Sequence, residues 1–361
     1  MNGQRKGWDW WSEAKLQVLT DYLEGFTRAV RGKSSEAIYL DLFAGSYEND
    51  RRYGTGTFPG SAQVALNTQP EFTRLAFFEL PGPAQRLRTD IAAARPNDQR
   101  WQVFEGDCNQ SLPTALASLE EVRWAPTFAF VDPRGLQVAW TTVTALADWR
   151  RDKKKTKVEQ WILMPEPALA RVLGLRGVHC RRSAERLDRL FGSRDWLPIH
   201  QGRRNGTLTA DAMRAEFVNL YRWQLENHLG YQTTHALQIV NTAGHPVYTL
   251  IFATDSPPGD AIMGHLYGSA VTSMIPEMQA RAQVARQHRR EDESGLARLP
   301  GMDEFAIEAA KGTPGSYQHQ PPWRPTPVVD EALDLEGEPD IDPDDIYWDD
   351  DAEAADDDSR S

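Results

Sequence analysis

The sequence predicts an α/β fold built on a doubly wound, mostly parallel sheet, and three observations predict it. Four short apolar runs recur at the spacing of successive strand–helix units, and each ends in an acidic residue. Helix-compatible segments separate them, each long enough for a crossover connection. A chain of 361 residues with 40% hydrophobic content can also bury the core that such a sheet needs.

Taken in order, residues 1–36 read as an amino-terminal helical segment whose Trp8, Trp10 and Trp11 suit docking onto a sheet. Ile38 to Gly45 is the first strand, running into Asp41 and the small-residue turn Phe43-Ala44-Gly45. Ser61 to Asn67 reads as the first crossover helix. Leu75 to Glu79 is the second strand, with a helix from Ala84 to Ala94 behind it. Trp101 to Asp107 is the third, and Ser111 to Glu120 its helix. Phe128 to Val131, leading into Asp132-Pro133, is the fourth, and Val158 to Met164 the fifth. From about 176 to 230 the pattern is helical and charged, longer than a simple crossover, and predicts a helical insertion beside the pocket. Leu237–Thr242 and Val247–Thr254, joined by Ala243-Gly244-His245-Pro246, predict a hairpin. A helix from about Gly259 to Gln287 closes the α/β body at 37–311. No internal repeat interrupts this order.

Strand-end acids on one rim of a doubly wound sheet suit an adenosine-bearing cofactor with a cationic centre, S-adenosylmethionine above all. Two oxygens of Glu79 match two vicinal ribose hydroxyls. Asp107, beside Cys108 and Asn109, is placed to accept from an adenine amine. Asp41 and the backbone of Phe43, Ala44 and Gly45 would orient the methionine end, with its carboxylate near Gly60 and Ser61. Asp132, with Pro133 shaping the turn, would face the transferable methyl. Each residue also has an ordinary structural use: Asp41 as a helix-capping or loop-bonding acid, Glu79 as an exposed strand-end acid, Asp107 as the nucleus of a turn before Ser111 caps the next helix, Asp132-Pro133 as a turn initiator.

These residues resemble the class I methyltransferase fold and, more closely, the three-Cys-motif partner protein family, TcmP. The resemblance rests on Trp11 and Lys15, the strand Tyr39 to Gly45, the Gly60-Ser61 helix start, Gly106-Asp107, Val131-Asp132-Pro133 with Gly135 and Trp140, and a late strand followed by Ala261-Ile262-Met263. It covers residues 8 to 290 and implies a Rossmann-like, seven-stranded mostly parallel sheet with one antiparallel strand. It also implies a partner protein of radical-SAM type carrying the three-cysteine motif. Two departures stand out. Gly45 is followed by Ser46-Tyr47-Glu48-Asn49-Asp50-Arg51-Arg52 rather than a second glycine, and Asp132-Pro133-Arg134-Gly135 lacks the aromatic that stacks on a flipped base in amino-methyltransferases. Trp140 or Tyr47 is the expected substitute. The expected activity is methyl transfer to nucleic acid, with an exocyclic amine as one acceptor. The alternative is a non-catalytic scaffold for the radical-SAM-type protein or for nucleic acid.

Charge divides the chain. Net charge is −12, but the segment from Asp330 onward carries −15 and the preceding body about +3. The acidic tail, reached through a proline-rich linker from Gly312 to Pro327, reads as disordered. Positive charge gathers at Arg150–Lys157, at Arg176–Arg194 with Arg203-Arg204, and at Arg281–Arg290, candidate phosphate-tracking surfaces. Two cysteines, Cys108 and Cys180, give neither a disulfide framework nor a metal cluster and fit a reducing cytoplasm. No apolar run predicts a membrane span or signal peptide. Phosphate-loop, zinc and nucleophile-elbow signatures are missing from the sequence.

Overall fold

A computed structural model describes residues 8–52, 56–150, 156–172, 181–241, 245–294 and 321–324. The acidic tail, the run Arg151–Lys155 and the dipeptide His179-Cys180 lie outside the described residues.

The chain opens with α1 (Trp10–Val30), capped by Asp9, whose carboxylate accepts from the Trp10 amide at 3.1 Å. Trp11, Ala14, Lys15, Val18, Leu19, Tyr22, Leu23 and Phe26 bury one stripe at helical spacing. This stripe lies on the sheet, so the amino-terminal helix is part of the core.

Then follow β1 (Ile38–Asp41), β2 (Glu48–Asp50), β3 (Thr57–Pro59), α2 (Ser61–Asn67), β4 (Arg74–Glu79), α3 (Pro83–Ala94), β5 (Trp101–Glu105), α4 (Cys108–Ser118), β6 (Thr127–Val131), α5 (Trp140–Trp149) and β7 (Glu159–Met164). Between β7 and the closing hairpin lie α6 (Glu166–Val172), α7 (Arg181–Phe191), α8 (Leu197–Arg204) and α9 (Ala210–Asn227). The hairpin is β8 (Thr233–Val240) and β9 (Pro246–Thr254). It leads to α10 (Pro257–Ser269), a single π turn (Ala270–Met274) and α11 (Ile275–Ser294).

Seven strands form the main sheet in the order β5-β4-β1-β6-β7-β9-β8. The first five in this row are parallel, and β9 runs antiparallel between β7 and β8. The parallel strands are apolar along their length because both faces are covered. On one face Tyr39, Phe77, Phe128, Phe130, Trp161 and Phe252 pack beneath α1, α2, α3, α10 and α11. On the other Leu40, Phe78, Ala129, Val131 and Ile162 pack beneath α4, α5 and the helices of the insertion. The sheet order reverses between β1 and β6, and the carboxyl ends of these two strands form the switch point at which open α/β sheets take their ligands.

One element was not visible in the sequence. The polar segment after Gly45 forms the small antiparallel ribbon β2–β3, pairing Asn49 with Phe58. Trp8 lies against it, its amide donating to the Asp50 carbonyl at 2.7 Å and its carbonyl accepting from the Arg52 amide at 2.9 Å. Trp323, from the proline-rich linker, packs against the helical insertion, its amide donating to Glu216 at 2.6 Å.

Candidate active site

The crevice is built from strand ends. Asp41 ends β1 fully buried, with the Tyr39 hydroxyl donating to it at 3.1 Å. Burial and the neighbouring charge of Asp132 push the Asp41 carboxyl up to about 7, while hydrogen bonds from Ser61, Tyr39 and the Phe43 amide oppose the rise. The turn that follows is pinned twice: the Ala44 amide donates to the Phe78 carbonyl at 3.0 Å and the Gly45 amide to Glu79 Oε2 at 2.8 Å. Gly45 holds φ at +62°, a conformation that disfavours a side chain.

Glu79, at the end of β4, accepts from Gly45 on one oxygen and from the Leu80 amide at 2.8 Å on the other. Each carboxylate oxygen retains a lone pair for a ligand. One strand further out, Asp107 caps α4, accepting from the Asn109 amide at 2.9 Å and its side-chain amide at 2.8 Å. The turn expected as this residue's ordinary use is therefore realised, and its carboxylate is still exposed. Cys108 does not face the rim. Its thiol is buried in the core, and burial raises its pKa to about 12. Only its backbone stands at the crevice.

Gly60 and Ser61 begin α2 as expected. A Cβ on Gly60 would come within 1.9 Å of the Ser46 carbonyl oxygen, so glycine is required where the ribbon folds back. The Ser61 hydroxyl lies 3.3 Å from the Ala44 carbonyl. Together Asp41, the Phe43–Gly45 turn, Gly60, Ser61, Glu79 and Asp107 share one rim.

Asp132, just past β6, meets a residue that site prediction did not single out. The Lys15 ammonium reaches it from α1 at 2.5 Å, with the two side chains 10% and 20% exposed. The same ammonium lies 5.5 Å above the ring of Tyr248, whose hydroxyl donates to the Trp11 carbonyl at 2.6 Å. Lys15 was legible as part of a family-like motif but not as a neighbour of Asp132, because 117 residues separate them. Pro133 is buried, and the Arg134 amide donates to Gln137 at 3.2 Å.

Neither expected stacking aromatic is free. Trp140 packs edge-on against Tyr221 with ring centroids 5.2 Å apart, and it covers Gly192. Tyr47 packs against the core beside α1. The exposed ring near this turn is Trp8, with the Arg134 guanidinium 5.5 Å above it.

The two ends of the first basic segment differ from expectation. Arg150 is buried, donating to the Lys157 and Trp124 carbonyls, and burial lowers its pKa to about 10. Lys157 is buried on Asp255 at 2.9 Å. These two ends of the first cluster are structural cations rather than phosphate contacts. Arg194 pairs with Asp188 at 3.0 Å, and Arg281 with Glu277 at 4.0 Å.

Two cavities lie away from the rim. One of about 350 Å³ is bounded by Glu71 and Arg95–Arg100, and one of about 290 Å³ lies between α1, the start of β7 and the start of α10. Among the described residues no His, Cys, Asp and Glu group is arranged to hold a metal, and no helix is long and apolar enough to cross a membrane.

No family model matches the sequence. No curated protein matches it either. Solved structures do resemble it in shape. Protein LPL1258 from Legionella pneumophila is 12% identical, with 72% of this chain and 91% of that chain covered and a TM-score of 0.36. An O-methyltransferase from Bacillus cereus in complex with SAH is 14% identical, with coverages of 67% and 80% and a TM-score of 0.34. At these values neither neighbour carries functional weight. The architecture rests on the sheet itself: five parallel strands in doubly wound order, closed by an antiparallel hairpin, form the seven-stranded Rossmann-like sheet expected of a methyltransferase fold.

Proposed function

We propose that this chain binds S-adenosylmethionine along the carboxyl rim of the sheet and catalyses transfer of its methyl group. The observation that carries this reading is the row Asp107, Glu79, Asp41, Asp132 across the ends of β5, β4, β1 and β6, centred on the order reversal of the sheet.

The residues fit such a ligand. Ideal Cβ atoms at Gly45, Gly82 and Gly106, all with positive φ, would meet nothing closer than 4.0 Å, so three backbone turns on this rim are open to close approach. Glu79 and Asp107 supply acceptors for hydroxyl and amine donors, Asp132 supplies negative charge toward a sulfonium, and Asp41 braces the Phe43–Gly45 turn through the Phe43 amide. Such a cofactor would supply an already activated methyl group. The protein's task is orientation and exclusion of water. The Gly45–Glu79 hydrogen bond fixes the turn.

Nucleic acid is the acceptor class that the charge of the body supports, since it is mildly basic once the acidic tail is set aside. Binding of a single-stranded RNA that weakens linearly with the logarithm of salt would support it. The resemblance to three-Cys-motif partners points to a second association, with a radical-SAM-type protein, tested by co-purification. It is compatible with methyl transfer and also with a scaffold role.

Calorimetric titration with S-adenosylmethionine and S-adenosylhomocysteine tests the cofactor reading. Glu79→Gln and Asp107→Asn should each weaken binding about tenfold, or ~1.4 kcal/mol. A folded protein that binds neither compound would leave only the scaffold.

A further inference from the structure

The ion pair of Lys15 and Asp132 holds unspent hydrogen-bonding capacity. Among the described residues Lys15 makes one hydrogen bond, to Asp132 Oδ2, which leaves two ammonium protons uncommitted. Asp132 accepts only that bond, so Oδ1 is also uncommitted. The pair is largely sheltered, yet a fifth of the Asp132 side chain is exposed. An uncommitted donor and an uncommitted acceptor therefore stand side by side, at the strand end where a methyl acceptor would sit.

The sign of the donor constrains the acceptor. An exocyclic amine is oriented by groups that only accept hydrogen bonds, and its nitrogen gains positive charge as it attacks. A fixed ammonium opposes both requirements. A hydroxyl or its oxyanion has the opposite needs. Its oxygen accepts from an ammonium, its proton is given to a carboxylate, and negative charge on oxygen is stabilised beside a cation. The setting around Lys15 reinforces this: its ammonium lies over the Tyr248 ring, and the Tyr248 hydroxyl is turned away to the Trp11 carbonyl, so the lysine is the donor presented.

Resting on the cofactor reading above, we propose that Lys15 is an acceptor-binding residue and that, with Asp132, it selects an oxygen nucleophile, a hydroxyl or its anion, over an amine. The oxygen supplies the electron pair of the new carbon–oxygen bond, and the pair of the broken carbon–sulfur bond stays on sulfur. An oxyanion has no proton to lose, and a hydroxyl gives its proton to Asp132.

The test is a binding measurement on the full chain saturated with S-adenosylhomocysteine, using two probes of matched shape. 4-Nitrophenol, ionised at mildly alkaline pH, presents an oxyanion, and 4-nitroaniline presents an amine. The phenolate should bind at least tenfold more tightly than the aniline. Lys15→Met should erase the preference while leaving S-adenosylhomocysteine binding in place, and Lys15→Arg should retain most of it. Equal affinity, tighter binding of the aniline, no binding of either probe, or a preference that survives Lys15→Met would each overturn the proposal. Failure of S-adenosylhomocysteine itself to bind would instead bring down the cofactor reading, and this inference with it.

Discussion

The hydroxyl of Tyr22 donates to the carboxylate of Glu159 over 2.5 Å, joining the middle of α1 to the first residue of β7 across 137 residues of sequence. Both side chains are fully or almost fully buried. The second oxygen of Glu159 accepts from the Thr254 hydroxyl at 3.0 Å, which ties β9 into the same knot. Burial raises the pKa of Glu159, and these hydrogen bonds oppose the rise.

Tyr22→Phe keeps the ring and removes the donor, leaving one lone pair of a buried carboxylate unsatisfied. The expected loss is roughly 1–3 kcal/mol. Urea unfolding followed by fluorescence would measure it, and the loss should shrink in a Glu159→Gln background, where no charge is stranded. Equal losses in both backgrounds would show that packing, not the hydrogen bond, supplies the energy.

Asp41 gives the fold a pH dependence of definite sign. Burial pushes its carboxyl up to about 7 in the folded chain from the ordinary value of 3.8, so the folded state holds the proton more tightly. Stability from this residue is fully present below about pH 4 and is lost as pH rises to about 7, by at most about 4 kcal/mol given ~1.4 kcal/mol per pKa unit. Asp41→Asn, neutral at every pH, should flatten that part of the stability curve between pH 5 and 8. Tyr39, Ser61, Lys15 and Asp132 stay in place around it, so a curve unchanged in shape would mean that Asp41 ionises normally.

Two glycines should respond oppositely to alanine. At Gly60 the added methyl collides with the Ser46 carbonyl, part of a backbone closed by the Gly60 amide on Tyr47 at 2.8 Å. Gly60→Ala should cost roughly 3–4 kcal/mol, in the upper range for single substitutions. At Gly268, within α10, a Cβ meets nothing within 4 Å, and Gly268→Ala should stabilise by roughly 0.5–1 kcal/mol. Paired thermal melts check both signs.

Much of the sheet was readable because buried parallel strands are written as continuous apolar runs, and their ends as acids. Ser61–Asn67 and Glu159–Met164 fall almost where the pattern puts them. What stayed hidden depends on partners distant in sequence. The β2–β3 ribbon is polar and mostly exposed, so it carries no hydrophobic period, and only its pairing makes it a ribbon. Arg150 looks like one member of a solvated basic run, yet carbonyls of Trp124 and Lys157 draw it inside. Trp140 looks available for stacking until Tyr221, 81 positions later, covers it. The site's acids were legible one at a time, whereas the pairing of Lys15 with Asp132 across 117 residues was not.

The bond from Tyr248 to the Trp11 carbonyl spans 237 residues. During synthesis the helix bearing Trp11 and Lys15 emerges long before β9, which carries the tyrosine beneath that lysine. At roughly 5–20 residues per second the wait is on the order of ten to fifty seconds. Throughout that interval the apolar stripe of α1 lacks the cover that β9 supplies in the finished fold.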